Sequence, residues 1–205
     1  MFPRNLKKLP RSFYLRPTLK VARDLVGKYF VRRHRSTLLI GKIVEVEAYL
    51  GELDPASHAY RGKTKRNEVM FWKGGHLYVY FTYGMHFCAN VVTEEEGKGR
   101  AVLIRAIEPV ECVETMRRLR GLESDGAKRR NGEWERVTNG PAKFCKAFSI
   151  ERKQNGADLL SDEIFIARDS KPPRHTVSAS TRIGVTGGAE KRWRFFLKGS
   201  IWLSR

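Results

Sequence analysis

The chain has 205 residues, of which 41% are hydrophobic and 30% charged, a composition typical of a soluble globular protein long enough to bury its own core. Its 40 Lys and Arg residues outnumber 22 Asp and Glu residues, which gives a net charge of +18. This excess indicates a polyanionic partner, with nucleic acid favoured over an anionic membrane surface; the alternative is a soluble protein that is merely basic.

Cysteine usage and the lack of apolar segments indicate where the protein works. Cys88, Cys112 and Cys145 are widely spaced and form no C-x-x-C pair or His/Cys cluster, so we expect neither a zinc site nor a disulfide framework. No segment resembles a signal peptide or reaches the ~18 apolar residues of a membrane span. We therefore expect no membrane partner and an intracellular location, in the cytoplasm or nucleoid of a prokaryote or the nucleus of a eukaryote.

The first half of the chain alternates between strands and polar loops. Thr18–Gly27 is predicted to be a short helix capped by Thr18. Residues 38–51 alternate like a strand, and residues 51–76 read as loop with one helical turn at 67–71. Residues 76–92 predict two strands joined by a tight reversal at Tyr83–Gly84.

The second half adds further strands and two helices. The pattern predicts a strand over 100–109 that ends at Pro109, a helix over 111–120 and a polar loop over 121–133. A second helix is expected over 139–150, with Asn139 as its cap and Pro141 in its first turn. Two more strands are predicted by "EIFIAR" and "WRFFLKG".

This mixture of elements favours an α+β fold. Strands and helices are interspersed without regular βαβ spacing, so we expect a mainly antiparallel, curved sheet with surrounding helices and a protruding β-hairpin. No linker divides the chain, which predicts a single domain over residues 1–205. Residues 1–14 are expected to form a basic N-terminal arm.

Two carboxylates stand out in the strand-like stretch "VEVEAYLG", residues 44–51. Alternation places Glu45, Glu47 and Tyr49 on one strand face and the apolar residues on the other. On spacing alone, the simpler interpretation is a solvent-exposed face whose glutamates pair with some of the many basic residues. The alternative is a general base on a rigid element, with Tyr49 beside it to contact a flat substrate.

The predicted hairpin carries aromatic rings where polar residues are usual. Tyr83 lies at or near its tip, and the basic run "RGKTKRN", residues 61–67, precedes it. Aromatic side chains beside a basic patch suggest stacking on nucleobases or insertion between them, although core packing explains some of the rings as well.

Other single residues give weaker signals. His58 lies in a polar loop, and Asn90 lies on the return arm of the hairpin, where ordinary strand alternation also accounts for it. Gly140–Pro141 opens a predicted helix with Lys143 just inside, a pattern that fits a phosphate site at a helix N-terminus or an ordinary capped end.

Taken together, six blocks of the sequence resemble the alkyladenine (3-methyladenine) DNA glycosylase family, which is distinct from the helix-hairpin-helix glycosylases. The blocks occur in the family's order and cover most of the chain from Leu15 onward. Thr82 and Ala89 depart from the pattern, since larger apolar residues are common there, and the loop 121–133 is not typical of the family. The blocks are "EVEAYLG", "DPASHAYRGKTKRN", "MFWKGGHLYVYFTYGMHFCANVV", "RAVLIRAIEP", "NGPAKFCKAFSI" and "RIGV".

The resemblance implies a role for individual residues. Glu47 matches the general base that activates the attacking water, and Arg105 and Val185 match positions that help place this water. The walls of the pocket for the flipped base match Tyr49, His58 and Tyr80, and its floor matches Asn90. Tyr83 matches the residue that intercalates into the minor groove. The backbone phosphates are assigned to Arg61, Lys63, Lys65, Arg66 and Lys143.

The resemblance also implies the activity. Members of the family excise alkylated or deaminated purines from double-stranded DNA by hydrolysing the N-glycosidic bond, with no metal or organic cofactor. A monofunctional, monomeric enzyme of base excision repair is therefore expected. The alternatives are a non-catalytic protein that binds or bends DNA through the basic patch and Tyr83, and a bifunctional glycosylase/lyase.

Overall fold

The computed structural model describes residues 6–122, 136–170 and 176–204. Most of the predicted loop 121–133 and the first five residues of the predicted arm lie outside these ranges. The described strands are β1 (Leu6–Lys8), β2 (Tyr29–His34), β3 (Thr37–Tyr49), β4 (Leu77–Thr82), β5 (His86–Thr93), β6 (Arg100–Glu111), β7 (Ile164–Asp169), β8 (Val177–Ser180) and β9 (Arg194–Leu197). The described helices are α1 (Arg11–Tyr14), α2 (Thr18–Leu25), α3 (Val113–Arg120) and α4 (Pro141–Ala147), with 3₁₀ turns at Gly51–Leu53, Glu68–Phe71 and Arg152–Gln154.

All nine described strands belong to one antiparallel sheet, which confirms the predicted α+β class. Seven strands follow the order β1-β7-β2-β3-β6-β5-β4, while β9 pairs with β3 and with β8. Both β3 and β5 run antiparallel to β6, so they run in the same direction. The β2–β3 turn and the tip of the β4–β5 hairpin therefore lie at the same end of the sheet.

Strand β3 is the centre of the sheet. It pairs with β6 along one edge, and with β2 and then β9 along the other, so its backbone is hydrogen-bonded on both sides. Register shifts next to Glu45 mark a β-bulge, which bends the strand and adds local twist. A Cβ atom at Gly41 would lie 2.1 Å from Ile107 Cγ2 and 3.1 Å from the Phe148 ring. Glycine is therefore required there for the close approach between β3 and its neighbours.

The core lies between the sheet and the helices. Helix α2 buries Val21, Ala22 and Leu25. Phe30 of β2 packs edge-on against Phe144 within α4 and Phe148 just after it, with ring centroids 5.1 and 5.5 Å apart. Each fully buried side chain of this size contributes about 1.5–3 kcal/mol of stability.

Two predicted helix caps are wrong. Pro17 precedes α2, and Thr18 is its first residue; the amide and hydroxyl of Thr18 donate to Glu94 Oε1, at 2.9 and 2.5 Å. A glutamate 76 positions away therefore satisfies this helix start. At α4 the cap position belongs to Gly140 and Pro141 is the first helical residue as predicted, while Asn139 Oδ1 accepts a hydrogen bond from Lys143 instead.

Strand β6 does not end at Pro109, as the sequence predicted, but continues to Glu111. At this end β6 pairs with β3 alone, because its pairing with β5 covers only residues 100–103. A register shift opposite Pro109 accompanies the missing N–H group, and proline is tolerated at such edges and bulges.

The described part of the predicted N-terminal arm belongs to the fold. Residues 6–8 pair with β7, and Tyr14 at the end of α1 is fully buried. Burial raises the pKa of this phenol well above its ordinary value. Residues 6–14 are therefore structural, whatever further contacts their positive charges make.

Candidate active site

Glu47 is completely buried, contrary to the interpretation of a solvent-exposed strand face. Its Oε1 accepts a hydrogen bond from the Ile183 amide at 2.7 Å. Its Oε2 accepts one from the Tyr49 hydroxyl at 2.9 Å and one from Arg105 Nη1 at 3.2 Å. Three donors from three separate segments therefore fix the orientation of this carboxylate.

Glu45 is buried beside it and is held even more firmly. Its Oε1 accepts hydrogen bonds from Arg194 Nε and Ser204 Oγ, both at 2.7 Å, and from Arg105 Nε at 3.0 Å. Its Oε2 accepts one from the Ser204 amide at 2.6 Å. Arg105 thus bridges the two glutamates, and two carboxylates are balanced by two guanidinium groups. Buried charges are tolerated only under such conditions of pairing and hydrogen bonding.

Asn90 lies in the same row across the sheet as Glu47. Glu47 is opposite Leu103, Leu103 is opposite Asn90, and Asn90 is opposite Tyr78. Two strand spacings separate Glu47 from Asn90, which is roughly 10 Å. Asn90 is buried, and its Nδ2 donates to the Tyr78 carbonyl at 3.3 Å. The amide is therefore fixed by the neighbouring strand.

Three rings form an aromatic cluster toward the hairpin. The His58 imidazole contacts the Tyr80 ring edge-on at 4.5 Å between centroids, and its Nδ1 lies 3.1 Å from the Tyr78 hydroxyl. Tyr78 stacks on Tyr80 at 5.5 Å. Burial raises the pKa of Tyr78 to about 12 and that of Tyr80 further, so both phenols stay protonated. Partial desolvation, followed by the positive charge of Arg66, lowers the pKa of His58 although one side of it is exposed.

Tyr49 is held between Glu47 and a second buried ion pair. Burial, then the charge and hydrogen bond of Glu47, raise the pKa of Tyr49, so it remains a donor. The Arg182 guanidinium lies over the Tyr49 ring, 4.8 Å from its centroid. Arg182 in turn pairs with Asp54 through two hydrogen bonds of 2.5 and 2.8 Å, both side chains being fully buried. This arrangement fixes the plane of the tyrosine ring.

The hairpin tip presents its tyrosine to solvent. Tyr83 is 88% exposed and has a φ of 51°, and Gly84 follows with a φ of 66°. Positive φ at both central positions is the pattern of a type I′ turn, which matches the twist of the flanking strands. The Met85 amide closes the turn by donating to the Thr82 carbonyl at 3.3 Å. Sequence analysis thus located the tip correctly.

The basic run lies next to this hairpin. Residues 61–66 are all exposed, and Arg66 Nη2 donates to the Phe81 carbonyl at 3.3 Å, which ties the run to β4. Arg66 also acts electrostatically on His58 and Tyr78. Positive charge, the aromatic cluster and the tip therefore occupy one region.

Val185 and Lys143 are the two remaining predicted site residues. Val185 is half-buried, and the segment that contains it contacts Glu47 through the Ile183 amide. Lys143 lies on α4, where its Nζ donates to Asn139 Oδ1 at 2.8 Å.

Sequence reasoning missed several residues that complete the site. Their partners lie far away in sequence: Arg182 is 128 positions from Asp54, and Ser204 is 159 positions from Glu45. The sequence offered one usable signal, since two glutamates in an apolar strand require cations if they are buried. The sequence alone does not show which of the 40 basic residues supply these cations. The missed residues are Asp54, Arg182, Ile183, Arg194 and Ser204.

Comparisons with known proteins show the family of the chain. The family model described as methylpurine-DNA glycosylase matches residues 12–201. A protein of Carboxydothermus hydrogenoformans named "Putative 3-methyladenine DNA glycosylase" is 48% identical over 198 residues, covering 96% of this chain and 98% of its own. Proteins of the same name from Chlorobium phaeovibrioides and Methanoculleus marisnigri are each 44% identical; they cover 98% and 96% of this chain, and 98% of their own in both cases.

The chain belongs to the methylpurine-DNA glycosylase family and is thus a DNA glycosylase for methylated purines. Within the described ranges, no three His, Cys, Asp or Glu side chains are grouped so as to hold a metal ion. No described helix has the length and apolar character needed to cross a membrane.

Proposed function

We propose that this protein is a monofunctional glycosylase that flips a damaged purine out of duplex DNA and hydrolyses its N-glycosidic bond with a water activated by Glu47. The burial of Glu47 among fixed donors is the observation that carries the proposal. The product is free base and an abasic site, and a single chain supplies every group named below.

The hydrogen bonds of Glu47 leave one acceptor position of the carboxylate unused. A carboxylate accepts about four hydrogen bonds. The Ile183 amide, Tyr49 and Arg105 provide three, so one position remains, and Oε1 carries fewer donors than Oε2. A water there donates a proton to Glu47 while its oxygen faces the sugar. The negative charge of Glu47 also stabilises the oxocarbenium-like sugar as the base departs.

The rings define a slot for the base. His58 and Tyr80 contact each other directly and so form one wall, which leaves Tyr49 as the opposite wall. Alkylation at N3 or N7 makes a purine cationic, and electron-rich phenol faces attract such a ring. The lowered pKa of His58 keeps the imidazole neutral near neutral pH, which avoids repulsion of that charge. Asn90, in the row of Glu47, forms the floor that meets the exocyclic amino group of an undamaged guanine.

Tyr83 performs the flipping step. Extruding a base costs a few kcal/mol, less for a damaged one, and an inserted aromatic ring offsets the lost stacking. An exposed ring held at a fixed turn is suited to enter the minor groove. The exposed Arg61, Lys63, Lys65 and Arg66 beside it bind backbone phosphates, and Lys143 adds a further contact.

Arg105 and the segment of Val185 place the catalytic groups. Arg105 fixes Glu47 against Glu45, and the Val185 segment contributes the amide of Ile183. The cations in contact with the two glutamates are arginines. A lyase requires a Schiff base formed by an amine, and a guanidinium that stays protonated cannot supply it.

The decisive experiment uses duplexes with a single 3-methyladenine, 7-methylguanine, hypoxanthine or ethenoadenine. We expect release of the free base and alkali-labile abasic sites, without metal or organic cofactor. Strand cleavage without alkali, or a covalent adduct trapped by borohydride, would show a glycosylase/lyase. Binding without base release at enzyme excess would show a non-catalytic DNA-binding protein and refute the proposal.

A further inference from the structure

Strand β2 carries a buried cation whose donors are unused. Arg32 is only 3% exposed, and within the described ranges its Nε and Nη1 atoms have no hydrogen-bond partner. An unsatisfied charged donor in a protein interior is unfavourable and rare, and it calls for a partner. The Glu47 site does not use this residue.

Arg32 borders an open pocket at the hairpin end of the sheet. Side chains alternate along β2, and Phe30 packs against α4, so Arg32 follows on that same face. The pocket lies between the β2–β3 turn and the end of α4. Its polar lining consists of Arg32, Arg33, His34, Arg35, Lys153 and Ser149, together with Gln154 and Glu163.

The electrostatic balance of this pocket is strongly positive. Neither Arg32, Arg33 nor Arg35 forms an ion pair in the part of the chain that the structure describes, and Lys153 lies 3.9 Å from Glu151. Among the described lining residues, Glu163 is the single carboxylate. Partial burial, followed by the charges of Arg32, Arg35 and Lys153, lowers the pKa of His34 against the opposing charge of Glu151.

We infer that this pocket binds a phosphate oxyanion, with Arg32 as the buried donor and Arg35 and Lys153 as the exposed rim. A guanidinium matches the oxygens of phosphate in geometry and forms strong, charge-assisted hydrogen bonds with it. The bound anion neutralises the positive charge concentrated around Arg32.

Two sources can supply such a group: a phosphodiester of DNA, or free phosphate including a phosphomonoester. A groove lined by Met85, His86 and Phe87 of the hairpin shares Leu119 and Ser149 with the pocket. The pocket therefore adjoins a groove that begins at the hairpin. The oxyanion site itself is independent of the proposed excision chemistry.

The first measurement titrates the full-length protein with inorganic phosphate and follows affinity by calorimetry and the His34 imidazole by NMR. We expect saturable binding that raises the pKa of His34, because the anion offsets the neighbouring cations. Arg32→Met is expected to weaken phosphate affinity about tenfold or more. Arg32→Lys should weaken it less, since lysine keeps the positive charge but lacks the planar, forked donors of a guanidinium. Lys98→Ala, an exposed cation at the other end of the sheet, is the matched control and should be unchanged.

The absence of saturable phosphate binding, or unchanged affinity in folded Arg32→Met, would overturn the inference. If Arg32→Met does not fold, the exposed rim variants Arg35→Ala and Lys153→Ala decide. Both are expected to weaken phosphate binding, and unchanged affinity in both would overturn the inference equally.

The second measurement identifies the source through the salt dependence of binding to undamaged duplex DNA. If the site takes a phosphodiester, Arg32→Met should reduce the slope of log K against log salt by about 1. If phosphate binding is lost while the slope stays unchanged, the site takes free phosphate or a phosphomonoester. Neither result depends on base excision, so a failure here leaves the proposed function untouched.

Discussion

Glu47 lies on the central strand β3 and Tyr83 at the tip of the β4–β5 hairpin of the same sheet, yet their side chains lie in opposite environments. Glu47 is a charged group with no exposed surface and three hydrogen-bond donors. Tyr83 is an aromatic group with 88% of its surface exposed, at a turn of positive φ. In an ordinary globular protein the carboxylate would be outside and the ring inside.

The difference fits the two tasks proposed for these residues. A group that must hold a water in one geometry needs fixed neighbours and exclusion from bulk solvent. A group that must enter a DNA helix needs the reverse, a free surface whose burial is completed only by the partner. Changes at the two positions should therefore affect different observables: excision and folding at the carboxylates, and flipping alone at the tip.

The largest expected effect comes from Glu47→Gln. The amide keeps the shape of the side chain but cannot accept the proton of the water, so the excision rate should fall about 10³-fold, within the usual range for loss of a general base. Affinity for lesion DNA should change little. Single-turnover excision and equilibrium binding measure the two quantities. Glu52→Gln, an exposed glutamate nearby, is the control; substantial turnover by Glu47→Gln would remove Glu47 from the chemistry.

Glu45→Gln should act mainly on folding. It leaves Arg105 and Arg194 without their shared carboxylate, and breaking a buried ion pair on one side costs about 3–5 kcal/mol. Urea unfolding measures this loss in the free energy of unfolding. Excision per folded molecule should fall much less than in Glu47→Gln. An equal loss of excision with unchanged stability would mean that Glu45 shares the catalytic role.

Tyr83→Ala should leave folding nearly unchanged, within about 0.5 kcal/mol, because the ring makes little contact with the protein. Stacking on a base is worth about 1–3 kcal/mol, so excision of well-paired lesions should slow roughly tenfold. Mispaired lesions, which are easier to extrude, should be affected less. Met85→Ala, at the same tip and 70% exposed, is the matched control. Equal slowing of both lesion types would contradict intercalation.

The smallest effect concerns pH. The pKa of His58 is lowered from 6.5 by desolvation and then by Arg66, so the ring gains its proton only below that value. Protonated His58 repels a cationic purine but not a neutral one. The ratio of 7-methylguanine to hypoxanthine excision should therefore fall severalfold as the pH drops. Arg66→Gln removes one cause of the lowered pKa and should move this fall to higher pH; a ratio independent of pH would exclude His58 from the wall.

Regular patterns allowed much of the fold to be predicted. Alternation located β3, the hairpin and most of β6, because these strands are long enough to show a period. Strands β1 and β8, of three and four residues, are too short to show a period, and no strand was predicted over the residues of β2. The caps failed for another reason, since Glu94 satisfies the start of α2 through tertiary contact.

The site residues were predicted from the family resemblance and not from regular patterns. Resemblance supplied Glu47, Tyr49, His58, Tyr80 and Asn90, and the structure places them around one region of the sheet. Spacing alone put Glu45 and Glu47 on a solvated face, which is wrong, because the cations that allow their burial come from β6 and the C-terminal segment. Such long-range partners leave no local pattern.

Ser204 ties the formation of the carboxylate cluster to the order in which the chain folds. Glu45 receives two hydrogen bonds from a residue 159 positions later, so the cluster forms only after the segments between them have folded together. Contacts of this length form slowly, and chains fold from the N-terminus during synthesis. We therefore expect the β4–β5 hairpin to form before the carboxylate cluster that holds Glu45 and Glu47.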